Sequence, residues 1–252
     1  MSLRSGLSKW LMIGLWATSL TASADKILVA GATGGTGQHI VHHLLQQGQS
    51  VRIFARDADK VQRLFGSTAA LEIQIGDIRD PQAVAQAVQG VTHIISAVGA
   101  RSQDEDDPNS ARYVDYEGTQ HLVKAAQHYG VQQIILVSSA GLSDSVYAES
   151  VKNRPILLWK KQAEQAVQSS GIPYSLVRPG RLLDEDGGQF GIRVTQGDYQ
   201  RVEGIARNDV ARVCVAALNQ PAAYGKTFEI TGDRSQAPVT DWPAFFQAMR
   251  HD

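Results

Sequence analysis

Seven residues, Gly31-Ala32-Thr33-Gly34-Gly35-Thr36-Gly37, follow a short apolar run and open an amphipathic one. Glycines at this spacing, between a strand and a helix, suit one kind of chemistry: holding a pyrophosphate against the unpaired N–H groups of a helix N-terminus. In that role Gly31 permits a tight turn, Gly34 lets the backbone approach the phosphates, and Gly37 allows helix and strand to pack closely. Thr33, Gly35 and Thr36 complete the loop. The spacing predicts a dinucleotide site; the bland alternative is a glycine-rich turn beside an empty pocket.

Further along, three short stretches bear on which dinucleotide. The second apolar run ends in Ala55-Arg56, where an acidic residue would accept hydrogen bonds from a free ribose 2′-hydroxyl. An arginine there suits a 2′-phosphate instead, held by a charge-assisted fork, and Lys60 adds a second positive charge. NADP(H) is therefore preferred over NAD(H), with Asp57 the argument for the other side and a solvated strand-end charge the plain alternative for Arg56. Gly76-Asp77-Ile78 offers a carboxylate near the expected adenine position, although Asp77 is equally placed to cap a helix starting near Pro81. Ala97 and Val98, in Ser96-Ala97-Val98-Gly99, are small enough for a backbone that runs beside a cofactor; packing alone accounts for them as well.

These residues need a scaffold, and the chain supplies a regular one. Short β-branched runs at 26–30, 51–55, 71–76, 92–97, 133–138 and 174–178 alternate with amphipathic segments, the pattern of βαβ units that build a parallel sheet. The expected fold class is α/β, a Rossmann-type doubly wound parallel sheet with helices on both faces. A seventh run, 226–231, reads as part of a small C-terminal lobe. In the segment 36–47, Ile40, Val41, Leu44 and Leu45 form an apolar stripe while His42, His43, Gln46 and Gln47 face outward. His39 and His43 stand at metal-ligand spacing, but without a carboxylate or cysteine partner they read as solvent-facing, and no metal is expected. The acidic stretch 101–110 reads as a solvated loop or part of a lid. Cys214 falls in an apolar helical pattern and reads as a small core residue, while Trp242, Phe245 and Phe246 read as an anchor for the terminal helix.

Bulk properties narrow the function. The 252 residues, 43% of them hydrophobic, suffice for one large domain. With 24 basic and 25 acidic residues there is no basic field to gather nucleic acid. A single cysteine excludes an internal disulfide framework. Residues 1–24 differ from the rest: Arg4 and Lys9 precede a short apolar run that ends in Thr21-Ala22-Ser23-Ala24. This order reads as an export signal cleaved after Ala24, leaving 25–252 as an exported Rossmann domain; the alternative is an uncleaved anchor at 7–20, the only route to a membrane.

From Lys26 to about Gly232 the chain resembles the atypical, NmrA-like, NAD(P)H-binding branch of the short-chain dehydrogenase/reductase superfamily. The matching stretches are the loop at 31–37, GDIRD at 76–80, YVDYEGT at 113–119, ILVSSAG at 135–141, VRPG at 177–180 and NDVARVCVAAL at 208–218. The resemblance implies a cofactor lying across the C-terminal ends of the strands, with Pro179 beside it. It also implies a catalytic Tyr-x-x-x-Lys pair with a serine. Lys160 stands where the lysine belongs and Ser139 where the serine does, so Lys160 is expected on the ribose hydroxyls and Ser139 on a substrate oxygen; the plain alternatives are a snorkelling lysine and a capping serine. Four residues before Lys160, however, stands Ile156, and no lysine in the chain has a tyrosine four residues upstream. Tyr147 is the tyrosine best placed to substitute. Arg181, Asp184 and Asp186 are polar candidates on the substrate side. Two uses fit: an oxidoreductase acting on a small carbonyl or quinone-like acceptor, or a non-catalytic NADP(H)-binding sensor or scaffold.

Overall fold

The computed structural model describes residues 25–66, 69–100, 102, 104–143, 147–197 and 204–252. The expected export segment at 1–24 and the Tyr147 side chain lie outside the described residues.

Within them the apolar runs become strands close to their expected limits: β1 (Lys26–Ala30), β2 (Ser50–Ala55), β3 (Leu71–Ile75), β4 (His93–Ser96), β5 (Gln133–Val137) and β6 (Tyr174–Pro179). Three short strands follow, β7 (Arg181–Leu183), β8 (Gly191–Thr195) and β9 (Gly204–Ala206), and then β10 (Lys226–Asp233). The main sheet has eight strands in the order β3-β2-β1-β4-β5-β6-β10-β8, all parallel except β8, which runs antiparallel to β10. Here the structure corrects one expectation. The 226–231 run does not stand apart in a C-terminal lobe; it pairs in parallel with β6, Thr227 opposite Leu176, and extends the central sheet. Only the parallel β7–β9 pair lies outside that sheet.

Continuous apolar strands are what a sheet covered on both faces requires. Ile27 and Val29 face one core with Ile40, Val41 and Leu44 of α1 (Gly35–Gln46), and with α7 (Arg207–Ala216) and Phe246 of α8 (Trp242–Gln247). Leu28 and Ala30 face the other, packed by α3 (Pro81–Val88), α4 (Gly118–Tyr129) and, after the short α5 (Tyr147–Asn153), by α6 (Ile156–Gln168). Cys214 is fully buried in the first core, and burial pushes its thiol up to about 12. Trp242 stacks on Phe246, Phe245 lies edge-on to both, and Phe246 is edge-on to Phe228 of β10, which fastens the terminal helix to the sheet.

Caps place two ambiguous carboxylates. Asp57 accepts from the Lys60 N–H at 2.9 Å and caps α2 (Ala58–Phe65). Asp80 accepts from the Gln82 N–H and caps α3, with Pro81 in its first turn, so the cap once open to Asp77 belongs to its neighbour. A π-helical turn, Arg112–Glu117, leads into α4 and carries Asp115 inward.

The polar face of α1 is not fully solvated as expected. His43 meets Asn208 of α7 at 2.5 Å, because α7 packs along α1. No cluster of three metal ligands occurs among the described residues, and no helix among them is long and apolar enough to cross a membrane.

Candidate functional site

The chain order around the sheet reverses between β1 and β4, and open α/β sheets bind ligands outside the strand ends at such a switch point. There the glycine loop shows why it is glycine. Gly31 sits at φ +79°, and a Cβ on it would lie 2.6 Å from the Ala97 carbonyl oxygen at the end of β4. A Cβ on Gly37 would lie 2.2 Å from the Gly31 carbonyl oxygen, so any side chain there would force α1 off the loop. Gly34 is the N-cap of α1 and offers no capping side chain, which leaves first-turn N–H groups without an intrahelical acceptor. Gly35, whose role the spacing does not explain, is covered by the side chain of Arg207: a Cβ there would meet its Cδ at 2.7 Å and its Nε at 2.8 Å.

Two connected hollows extend from this loop. The first, about 160 Å³, is lined by Gly31, Thr33 and Gly34, by Phe54 to Arg56, by Gly76 to Ile78, and by Ala97 to Gly99 with Val114. Asp77 lies in it, gripped by Arg79 through two side-chain bonds of 2.9 and 2.7 Å; that arginine holds the carboxyl below the usual carboxylate range. Arg56 is exposed on the rim and donates to Asn109 Oδ1 at 3.1 Å. The acidic stretch is therefore more than a free loop. It joins Arg56 through Asn109, Arg79 through the Pro108 carbonyl, and the Trp159 indole through Glu105.

The second hollow, about 890 Å³, runs from Thr33–Thr36 and Lys60 past Ala97–Ala100 to Ser138, Ser139, Arg154, Lys160, Pro179, Arg181 and Arg207. Lys160 donates from Nζ to Asp115 Oδ1 at 2.6 Å, and Asp115 Oδ2 accepts the Ala100 N–H at 2.9 Å. Asp115 is only 3% exposed, so Lys160 is oriented by a buried carboxylate and does not snorkel freely. Ser139 approaches Arg154 at 3.5 Å, at the edge of hydrogen-bonding range, and donates to the Ala140 carbonyl. Next to it Ser138, 8% exposed, has an Oγ with no hydrogen-bond partner among the described residues.

All of the expected cofactor residues except Gly37 thus line one continuous cleft, and Gly37 serves the packing beneath it. A dinucleotide fits this cleft on structural grounds: the orphan N–H groups suit a pyrophosphate, and the unpartnered Ser138 hydroxyl suits a polar group at the far end. Of the substrate-side candidates, Arg181 lines the cleft, whereas Asp184, 83% exposed, pairs with Arg207 at 2.7 Å and Asp186 is not among the lining residues. No tyrosine lines the cleft among the described residues. Sequence reading missed Asp115, Arg154 and Arg207. The first lies in the quoted YVDYEGT stretch and the third directly before NDVAR, so the motifs pass through both without revealing their partners.

Comparison with known proteins agrees with this geometry. The profile of a family described as NAD(P)H-binding matches residues 31–221. An uncharacterised chloroplast protein of Arabidopsis thaliana is 33% identical over 243 residues, covering 87% of this chain and 74% of that protein. Sanguinarine reductase of Eschscholzia californica is 31% identical over 242 residues, covering 81% of this chain and 88% of the reductase. Among solved structures, an oxidoreductase of Lactococcus lactis superposes with a TM-score of 0.75 at 19% identity, covering 90% of this chain and 99% of the other, a likeness of fold.

Proposed function

Since the chain belongs to the NAD(P)H-binding family of short-chain dehydrogenase/reductase-like Rossmann proteins, we propose that it is a reductase that prefers NADPH and acts on a small, electron-poor carbonyl or quinone-like acceptor. The observation that carries this reading is the single cleft joining the glycine loop to Lys160 and Ser139. A bound dihydronicotinamide supplies a hydride; everything else falls to the residues of this chain. Arg56 and Lys60 would hold a 2′-phosphate, and Asp57, the residue that argues for NAD(H), already serves as the cap of α2. Lys160, oriented by Asp115, would hold the ribose hydroxyls, and Ser139 the acceptor oxygen. With isoleucine at 156, the proton reaches the reduced acceptor from water through the open cleft. The relative named as a reductase of sanguinarine supports the reaction type. Residues 1–24 support export as the setting, with an uncleaved anchor as the alternative.

One experiment tests both halves. NADPH and NADH are titrated separately against the purified chain by cofactor fluorescence, and NADPH oxidation is then followed with a panel of carbonyls and quinones. The reading expects NADPH to bind in the micromolar range and much more tightly than NADH, with steady oxidation by at least one acceptor that is lost in Lys160→Ala. Equal binding of the two cofactors would refute the preference. Ile156 at the tyrosine position favours a second reading, a non-catalytic NADP(H) sensor or scaffold, which expects binding without turnover.

A further inference from the structure

The whole chain is close to neutral, with 24 basic and 25 acidic residues, yet the large hollow is lined by Lys60, Arg154, Lys160, Arg181 and Arg207 and by no carboxylate among the described residues. Such segregation concentrates a positive field in one cleft. Two of these five cations have a carboxylate partner, Lys160 with Asp115 and Arg207 with Asp184, and Lys60 is already assigned to the 2′-phosphate in the reductase reading. Lys160 is neutralised by Asp115 at 2.6 Å. Arg207 lies across Gly35 at the start of α1, where a pyrophosphate would sit, and Lys60 lines the hollow from α2.

Arg154 and Arg181 are left over. Both are exposed; Arg154 approaches Ser139, which follows β5, and Arg181 opens β7 directly after Gly180. Arg154 is met by the Ser139 hydroxyl at 3.5 Å, and the backbone of Arg181 pairs with β9 opposite Gly204. Neither has an ion-pair partner among the described residues. The same hollow has apolar lining as well, from Val98, Val137, Ala140 and Leu182.

Resting on the reductase reading, we infer that the acceptor is an apolar, conjugated molecule carrying a carboxylate or a similar anionic group, which Arg154 and Arg181 hold while its reducible end lies at Ser139. A planar guanidinium recognises a carboxylate through paired N–H groups, and two arginines flanking an apolar wall disfavour a cationic acceptor of the same shape.

The test separates this inference from the reading beneath it. Binding of 2-naphthoate and its neutral isostere 2-naphthamide is measured by calorimetry on the free chain and on the chain saturated with NADP⁺, for the wild type and for the double substitution Arg154→Gln, Arg181→Gln. The wild type should bind 2-naphthoate about tenfold more tightly than the amide, as a charge-assisted contact implies. The double variant should lose that preference while its urea unfolding midpoint stays close to that of the wild type and so shows the fold intact. Equal affinity for the two ligands, binding of neither, or a preference that survives the double substitution would each overturn the inference. Anion preference without oxidation of NADPH by any acceptor would leave the anion site at Arg154 and Arg181 standing and remove the reductase reading, with the ligand's role as acceptor.

Discussion

The two ends of the cleft are built in different ways. At the phosphate end the determinants are backbone: Gly31 at φ +79° against the Ala97 carbonyl, Gly37 against the Gly31 carbonyl, and an uncapped helix start. At the other end they are side chains brought together from distant segments: Lys160 of α6 on Asp115 of the π-turn, and Arg154 on Ser139. A backbone cradle tolerates no added atom, whereas paired side chains tolerate substitution at the cost of a charge left without its partner. This end of the site can change its chemistry, an isoleucine standing where the short-chain dehydrogenase/reductase resemblance implies a tyrosine, while the other end keeps its shape.

The largest expected effect follows from that rigidity. In Gly37→Ala the new methyl would fall 2.2 Å from the Gly31 oxygen and 2.9 Å from the Ala32 Cα, so α1 and the loop must separate. A loss of about 3 kcal/mol in urea unfolding is expected, with NADPH binding abolished. Gly99→Ala, in the same cleft but with nothing within 4 Å of its added methyl, should leave stability nearly unchanged. Should the two variants unfold alike, the backbone end is not the tight cradle described.

At the side-chain end the corresponding change is Asp115→Asn. It keeps an acceptor for the Ala100 N–H but leaves Lys160 without a countercharge. Breaking the pair should cost on the order of 2 kcal/mol, below the usual figure for a fully buried pair because Lys160 opens onto the cleft. Urea unfolding with Lys160→Met as the second single change, and the double variant to close the cycle, would measure the coupling between them. A coupling near zero would mean that Asp115 does not orient Lys160.

This contrast also explains what the sequence alone discloses. The strands of the parallel sheet are legible because burial on both faces demands unbroken apolar runs, and the glycine loop because backbone geometry leaves a residue-type signature. Strand β10 was misplaced because nothing local distinguishes a strand that joins β6 from one that forms a lobe; the difference lies in pairing across some fifty residues, Thr227 opposite Leu176. The role of Gly35 was hidden for the same reason, since the atom that excludes a side chain belongs to Arg207. His43 was read as solvent-facing because its partner, Asn208, is far along the chain. What is local is legible, and what is a meeting of distant residues is not.

A smaller pair of effects compares Arg56 and Arg207, the arginines proposed to meet the cofactor's phosphates. Arg56→Ala should weaken NADPH about tenfold or more and leave NADH nearly unchanged, because only the former carries the phosphate at that rim. Arg207→Ala should weaken both by a similar factor, roughly tenfold, because the pyrophosphate is common to them. Stability should barely move, since the ion pair that Arg207 gives up, with the 83% exposed Asp184, is a surface one. Fluorescence titration of both variants with both cofactors checks the pattern, and selective loss of NADPH in Arg207→Ala would reassign that residue to the 2′-phosphate.

The smallest effect concerns pH at the back of the phosphate end. His39, on α1, lies partly buried among His43, His42, Asp184 and Arg207; burial first, and then the neighbouring histidines, hold its pKa below the ordinary value of 6.5, with Asp184 opposing. A pKa lowered in the folded state means that the unfolded chain takes up the proton first as the solution is acidified. The stability that His39 contributes is therefore fully present above about pH 6.5 and declines as pH falls through its folded value. Thermal unfolding of the wild type and of His39→Gln at pH 7.5 and 5.5 isolates this contribution. The wild type should lose about 1–2 °C more than the variant on acidification, a shift in keeping with a fraction of a kcal/mol in a chain of this size. The same loss in both proteins would place the acid sensitivity elsewhere, with Asp77 as the next residue to test, because its carboxyl, held below the usual range by Arg79, stabilises the fold in the same direction at lower pH.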